Sequence, residues 1–297
     1  MKLIEPLAIT DATLLSSNVA ETDWPAWSAG TAYVLGDKVI RTSTHRIYQR
    51  TVAGTTATAP ELDLTNWLDI APTNRWAMFD SVVGTLTTQA TSISVTVRPV
   101  GVVNSLALLD ISGDTLQVVM TDPIDGVVYD VTYSLSYTSG ITDWYSYFYT
   151  PIERKSGIII TDLPGYLSAD IAITISNPGG SVSVGTCVAG SLQNLGHTKY
   201  GASVGIQDYS RKERDAFGNY TVVERPFNKK ARFSCTVDAD RVDRTHALLA
   251  RRRALPTVYI GSEDYQSTVV YGFFKDFDIV IPYPTFSECS LEIEGLT

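Results

Sequence analysis

Between Arg75 and Leu192 the chain consists of short segments in which apolar and polar residues alternate, and no other feature constrains the fold as strongly. Alternation with a period of two places successive side chains on opposite faces of a strand. Val, Ile, Thr and Tyr, which favour strands, are frequent here. Turn sequences such as SGD, DPIDG and NPGG separate the segments. Residues 75–192 are therefore predicted to form a β-sandwich of the jelly-roll type, with strands in SISVTVRPV, SLALLDI, TLQVVMTD, VVYDVTYSLSY, SGIIITDL and ADIAITISN.

Residues 193–297 show a different pattern. DADRVDRTHALLARRRALP is the one convincing helical segment in the chain, with Val242, Leu248 and Leu249 on one face. Strand-like segments such as TVYIGS and TVVYGFFKDFDIVI surround it. We therefore predict an α+β domain with one main helix packed on a sheet, within a chain that is mainly β.

The charge of the chain limits its partners. The net charge is −9, all of it in residues 1–196, which hold 9 Lys and Arg against 18 Asp and Glu, whereas residues 197–297 hold 14 of each. Phosphate binding requires clustered cations, so nucleic acid is not an expected partner. The basic run Arg251–Arg253 is expected on a solvated or subunit-facing edge of the helix. No apolar run of 18 residues occurs, so no membrane span is expected.

The cysteines and the N-terminal sequence suggest a cytoplasmic site of synthesis. Cys187, Cys235 and Cys289 are widely spaced and include no CxxC pair. They are expected to be buried free thiols and not a disulfide framework or zinc site. Residues 1–25 contain Glu5 and no long apolar run, so we expect no export signal. This segment is predicted to form an extended arm with at most one short strand.

Residues 26–71 combine few aliphatic residues with many aromatic ones and are predicted to form a small separate β module. A unit of this size without disulfides or metal ligands needs large side chains to close its core. Trp27, Tyr33, Tyr48 and Trp67 supply them, and Gly36-Asp37 is expected to form a tight turn. Residues 71–74, APTN, are predicted to be a linker.

The order of these residues resembles the small carbohydrate-binding modules of families 5 and 12, which bind chitin and cellulose. The matching positions are Ala26-Trp27, Tyr33, Gly36-Asp37-Lys38-Val39, Tyr48, Pro60 and Trp67. The resemblance implies that Trp67 is an exposed ring that stacks on a sugar, with Tyr48 second. Trp27 and Tyr33 complete the implied carbohydrate-binding set, largely in a structural role. The sequence RTVAGTTATAP stands where that family has Cys and His-Thr. The alternative that this module no longer binds sugar therefore stays open.

The C-terminal part carries a second resemblance. YGASVGIQDYSRKERDAFGNYTVVERPFNKKARFSCTVD, the helix, RALPTVYIGSEDYQSTVVYGFF and the closing LEIEGL are similar to segments of tail-tip proteins of long-tailed bacteriophages. The central domain, opening with NRWAMFD, resembles the jelly-roll or galactose-binding-like modules that accompany them. This implies a virion component of the tail tip or baseplate, assembled in the host bacterial cytoplasm. Its implied partners are copies of itself in a three-fold or six-fold ring, other tail proteins and host surface glycans.

No arrangement of residues in the sequence indicates catalysis. Glycoside hydrolysis needs two facing carboxylates, but the acidic pairs lie in turn-like sequence, where turn chemistry explains them. No GxSxG motif is present. We therefore expect no enzymatic activity, no cofactor and no metal, and a solvated hairpin loop at DPIDGVVYD, which lacks EF-hand spacing. The acidic pairs are Asp110 with Asp114, Asp122 with Asp125, and Glu263 with Asp264.

The segment DWYSYFY, residues 143–149, is a second aromatic cluster. Read as a strand, it places Trp144 and Phe148 on one face and Tyr145, Tyr147 and Tyr149 on the other. We expect one face to be core and the tyrosine face to be a subunit contact or a second sugar platform.

The favoured function is a structural tail-tip or baseplate protein that displays a sugar-binding-like module towards the host surface. Two alternatives stay open: a secreted polysaccharide-active enzyme or its accessory binding protein, and a purely architectural tail protein whose module does not bind sugar.

Overall fold

The computed structural model describes residues 1–82, 84–137, 142–214 and 217–296. The prediction of a mainly β fold is confirmed, with 53% strand and 10% helix. No helix in the described ranges is long and apolar enough to cross a membrane. The N-terminal part and the small module contain β1 (Lys2–Pro6), β2 (Leu14–Ser17), β3 (Ala32–Tyr33), β4 (Lys38–Arg41), β5 (Arg46–Arg50), β6 (Gly54–Thr55) and β7 (Trp67–Pro72).

The rest of the described chain is also mostly strand, with two α-helices. The central part contains β8 (Thr87–Val97), β9 (Ser105–Ser112), β10 (Thr115–Asp122), β11 (Gly126–Ser134), α1 (Trp144–Tyr149), β12 (Gly157–Ile160) and β13 (Asp170–Asn194). The C-terminal part contains β14 (His197–Thr198), β15 (Ser203–Asp208), β16 (Arg211–Arg214), β17 (Tyr220–Val223), β18 (Phe227–Asp238), α2 (Val242–Arg251), β19 (Thr257–Ile260), β20 (Val269–Val280) and β21 (Phe286–Gly295). Short 3₁₀ helices lie at Pro60–Leu62, Ala77–Phe79, Ala239–Arg241 and Gln266–Thr268.

The long strand β13 organises the central sandwich. It has 25 residues, which would extend over about 80 Å if straight, yet residues from both halves, such as Ile173 and Cys187, belong to one buried cluster. The sheet must therefore fold over on itself along β13. The pairing with β8 shifts register between Ser176 and Ser181, which is where the irregularity needed for such a bend occurs.

The prediction of an N-terminal arm with at most one short strand is wrong. This segment forms two strands, and β1 lies inside the large sheet between β13 and β19. Leu3 and Ile4 are fully buried. The fit is close: a Cβ added at Gly190 would lie 2.1 Å from the carbonyl oxygen of Glu5. Apolar residues at positions 3 and 4 explain why the segment is central, since a strand buried on both faces is continuously apolar and does not alternate.

A single sheet joins the central and C-terminal units. Its strand order runs β11-β10-β13-β1-β19-β20-β21-β18-β14, and the predicted domain boundary after Leu192 falls within β13. The predicted main helix is confirmed as α2, whose buried Leu248 and Leu249 pack against Phe233 and Tyr259 of the sheet. The C-terminal unit is thus an extension of the sheet with one helix on its surface.

Candidate functional site

The four aromatic residues expected to bind sugar form the core of the small module. Trp67 is 1% exposed, Tyr48 3% and Tyr33 9%, and Trp27 packs against them partly buried. The prediction that Trp67 is an exposed stacking ring is therefore wrong. The cause is the size of the module: β4, β5 and β7 offer few aliphatic side chains, so the aromatic rings that the sequence provides are used to exclude water.

The Trp67 indole is enclosed by other side chains of the protein. Tyr33 meets it edge to face, with ring centroids 5.0 Å apart and planes at 73°. The guanidinium of Arg50, a residue only 3% exposed, lies 5.0 Å from the ring centroid. A cation over an indole face is a favourable arrangement when both are removed from water. No face of Trp67 remains for a sugar ring.

Trp27 is covered by a second arginine. The guanidinium carbon of Arg41 lies 4.9 Å from the Trp27 ring centroid. Arg41 also donates two hydrogen bonds to the carboxylate of Glu61, at 3.1 and 2.7 Å. These bonds lower the pKa of Glu61, since they stabilise its ionised form. The pair ties the 3₁₀ turn that contains Glu61 to strand β4 and closes the module over Trp27.

The junction between the module and the body is built around His45, which sequence reasoning did not single out. Its Nδ1 lies 3.1 Å from Oε1 of Glu21 and its Nε2 lies 3.0 Å from Oδ2 of Asp11. Its ring stacks on Trp76, with centroids 4.1 Å apart. His45 adopts a left-handed backbone with φ of 55°, a conformation that few non-glycine residues adopt. The predicted linker is fixed here too, because Thr73 donates its amide proton to the His45 carbonyl at 2.9 Å.

A shallow cavity of about 340 Å³ opens at this junction, with Asp11, His45, Trp76, Phe79 and Asp80 in its walls. Among the described residues, neither Nε1 of Trp76 nor Oδ2 of Asp80 has a hydrogen-bond partner. Burial raises the pKa of Asp80 above its usual value, because it disfavours the charged form. The cavity is thus lined by aromatic rings, and a donor and an acceptor without a partner are buried in the residues of its walls.

The predicted strand at residues 143–149 is also wrong, because the segment folds as the short helix α1. Asp143 caps it: its side chain accepts a hydrogen bond from the amide of Ser146, and the Ser146 hydroxyl accepts one from the Asp143 amide. None of the helical residues is buried. Five aromatic side chains are 62–78% exposed: Trp144, Tyr145, Tyr147, Phe148 and Tyr149. The alternating pattern led to the wrong prediction because the capping box, Asp-x-x-Ser, favours a helix in the same residues.

A long β-hairpin projects from the edge of the sheet. β15 pairs with the first half of β18, and β16 pairs with β17 beyond it. No side chain in residues 203–214 and 217–230 is buried. Its exposed apolar residues are Val204, Ile206, Tyr209, Phe217, Tyr220, Val222, Val223 and Phe227. We call residues 203–214 and 217–230 the projecting hairpin. A two-stranded ribbon without a core is marginally stable in water, and exposed apolar residues along it are typical of an interaction surface.

The acidic pairs singled out in the sequence have structural partners. Asp114 forms an ion pair with Arg154 at 2.6 Å. Asp122 accepts hydrogen bonds from the amides of Ile124 and Asp125 in its own turn, as turn chemistry predicts. Glu263 bonds Lys2 and Thr161, at 2.8 and 2.7 Å. Within the described ranges, no group of three or more His, Cys, Asp or Glu is arranged to hold a metal ion.

The prediction of buried free thiols is confirmed. Cys187, Cys235 and Cys289 are all buried and none is in a disulfide. Burial raises the pKa of Cys187 to about 12, since the thiolate loses its hydration. Cys235 and Cys289 face each other across β18 and β21 inside the C-terminal core.

Comparisons with known proteins give no match to a family model, to a curated protein or to a solved structure.

Proposed function

We propose that this chain is a structural component of the tail tip or baseplate of a long-tailed bacteriophage, where it assembles into a ring with further copies and other tail proteins. The observation that carries the proposal is the projecting hairpin, whose described residues expose eight large apolar side chains and bury none. Such a ribbon gains stability when a neighbouring subunit covers it. The sequence resemblance of residues 197–297 to tail-tip proteins gives this assembly its setting.

The proposal excludes catalysis as the main role of the chain. One member of each acidic pair, Asp114, Asp122 or Glu263, is engaged in an ion pair or a turn, which favours a structural use of these carboxylates. A polysaccharide-degrading activity in the purified chain would contradict the proposal.

Electron micrographs of phage particles, labelled with a gold-conjugated antibody against this chain, test the assignment. We expect gold at one end of the tail, opposite the capsid. Label on the capsid, or only in the soluble fraction of lysed cells, would overturn it.

Contact with host glycans is the second part of the proposal, and it is assigned to α1 and not to Trp67. The exposed rings of Tyr145 and Tyr149 lie 4.7 Å apart at 33° and present flat faces of the kind that sugars stack on. A glycan array tests this. We expect binding by the wild type that Tyr145→Ala with Tyr149→Ala removes and that Trp24→Ala, a change at another exposed aromatic residue, leaves intact. An array with no binding by wild type would leave the purely architectural alternative.

A further inference from the structure

Two surfaces of this chain combine exposed apolar residues with charge, and the charges of the two are opposite. From Ser203 to Lys230, the segment that contains the projecting hairpin, the sequence has six basic and four acidic residues. Residues 1–196 hold the whole net charge of −9. In a protein with such a division, the basic element of one copy is attracted to the acidic part of another.

Part of the basic charge of the hairpin is free to contact a partner. Arg211 and Lys212 are paired within the hairpin, with Glu213 and Asp208. Arg225 and Lys230 are exposed, and no carboxylate of the described residues lies within 4.0 Å of either. Ile206 is 64% exposed and Val222 60%, so the ribbon offers apolar surface together with exposed positive charge.

A matching surface lies on the sandwich, at the turn between β10 and β11, the first residues of β11 and the loop after β12. We call it the acidic end and define it by Ile124, Asp125, Val127, Asp130, Asp162 and Leu167. Two hydrogen bonds connect its parts: Tyr166 donates to Asp125 at 2.9 Å, and Tyr129 donates to Asp162 at 3.2 Å.

Like the hairpin, the acidic end combines exposed apolar residues with charged ones, but its charge is negative. Its apolar members are strongly exposed, Ile124 at 91%, Leu167 at 68% and Val127 at 62%. Its three carboxylates are exposed, and no Lys or Arg of the described chain forms an ion pair with them. Exposed apolar residues surrounded by uncompensated charge are typical of a surface that binds a partner of opposite charge.

We infer that the projecting hairpin of one copy docks on the acidic end of the next copy, so that the interface joins two different surfaces. Such a head-to-tail contact is heterologous, and repeated contacts of this kind close into a ring when the rotation permits. The inference rests on the proposed function, because it specifies the self-contact of that ring. The exposed apolar side chains of both surfaces form its centre, and Arg225 and Lys230 face Asp125 and Asp130 around it.

A charge swap tests the contact with three full-length variants. The first carries Arg225→Glu and Lys230→Glu, the second carries Asp125→Lys and Asp130→Lys, and the third carries all four changes. Masses are measured by light scattering at protein concentrations from about 1 to 100 μM, and thermal unfolding checks that each variant is folded. We expect wild type and the third variant to associate, and each of the first two alone to associate at least about tenfold more weakly.

Mixing the first two variants gives the decisive result. Each then meets a surface of opposite charge on the other, and we expect oligomers to reappear in the mixture, with weaker association at high salt. A monomeric wild type, unchanged association of the single-surface variants, or a mixture that stays dissociated would each overturn the inference.

The labelled particles separate this result from the proposed function. A chain found in the tail but monomeric in solution overturns the head-to-tail contact alone. A chain that obeys the charge swap but is absent from particles overturns the tail assignment alone.

Discussion

Replacing Trp67 by alanine distinguishes a structural role of its indole ring from a role in ligand binding. The side chain is 1% exposed, and a buried indole removes on the order of 200 Å² from water. At about 25 cal/mol per Å², its loss costs roughly 5 kcal/mol, at the upper end of the 3–5 kcal/mol typical of Trp→Ala changes. A module of 46 residues, 26–71, has a total stability of about the same size.

We therefore expect Trp67→Ala to unfold the small module while the sandwich and the C-terminal sheet stay folded. Limited proteolysis followed by mass spectrometry measures this: cuts are expected within residues 26–71 and not in β8–β13. Trp67→Phe, which retains most of the apolar area, should give an intermediate rate of cleavage. Trp144→Ala is the matched control, because Trp144 is 78% exposed and its loss should change stability by less than about 0.5 kcal/mol.

The opposite pattern would refute the reasoning. If Trp67→Ala resisted protease as wild type does, the indole would not be needed in the core. If that folded variant also lost binding to chitin oligosaccharides, the ring would be a stacking platform, as the family resemblance implies.

Three further changes test other parts of the structure. Glu61→Gln should cost about 1 kcal/mol of module stability near neutral pH. Because the pKa of Glu61 is lowered in the folded state, the ionised carboxylate stabilises the module above the unfolded pKa of about 4.3, and this stabilisation is lost as the pH falls through the folded pKa. Urea titrations of wild type and variant should therefore converge in acid. Gly190→Ala should destabilise the body by roughly 2–3 kcal/mol in denaturant unfolding, since its Cβ would meet Glu5, whereas Gly205→Ala, with open space around it, should not; equal effects would contradict the close packing of β1. His45→Ala should speed proteolysis at residues 71–75 because it removes both carboxylate contacts, while the exposed His246→Ala should leave the rate unchanged; no acceleration would mean that other contacts hold the junction.

Local patterns predicted the elements well where burial on one face decides the structure. The alternation in residues 105–122 became β9 and β10, and the helical spacing of Leu248 and Leu249 became α2. The order of aromatic residues in 26–71, by contrast, did not predict which rings would be buried. That depends on Arg50 and Arg41 lying over the indoles, and no spacing rule brings an arginine to a ring in a three-dimensional fold.

Contacts between residues far apart along the chain could not be predicted from the sequence, for a related reason. Asp11, Glu21 and Trp76 are 34, 24 and 31 residues from His45 along the chain, and only the closed fold gathers them. Likewise, β1 has the composition of a short buried strand, but its two partners lie near residues 192 and 259. The prediction of a strand in place of α1 was wrong for a local reason. The alternating pattern is compatible with a strand or a helix, and the cap formed by Asp143 and Ser146 favours the helix.

The position of β1 also orders the events of synthesis. Residues 2–6 are synthesised long before one of their partner strands, β19, which begins at Thr257. Until then Leu3 and Ile4 expose a fully apolar edge, and the sheet stays open at its middle. β1 thus gains its second partner strand only when residues 257–260 have been made, and completion of the sheet must wait for their translation.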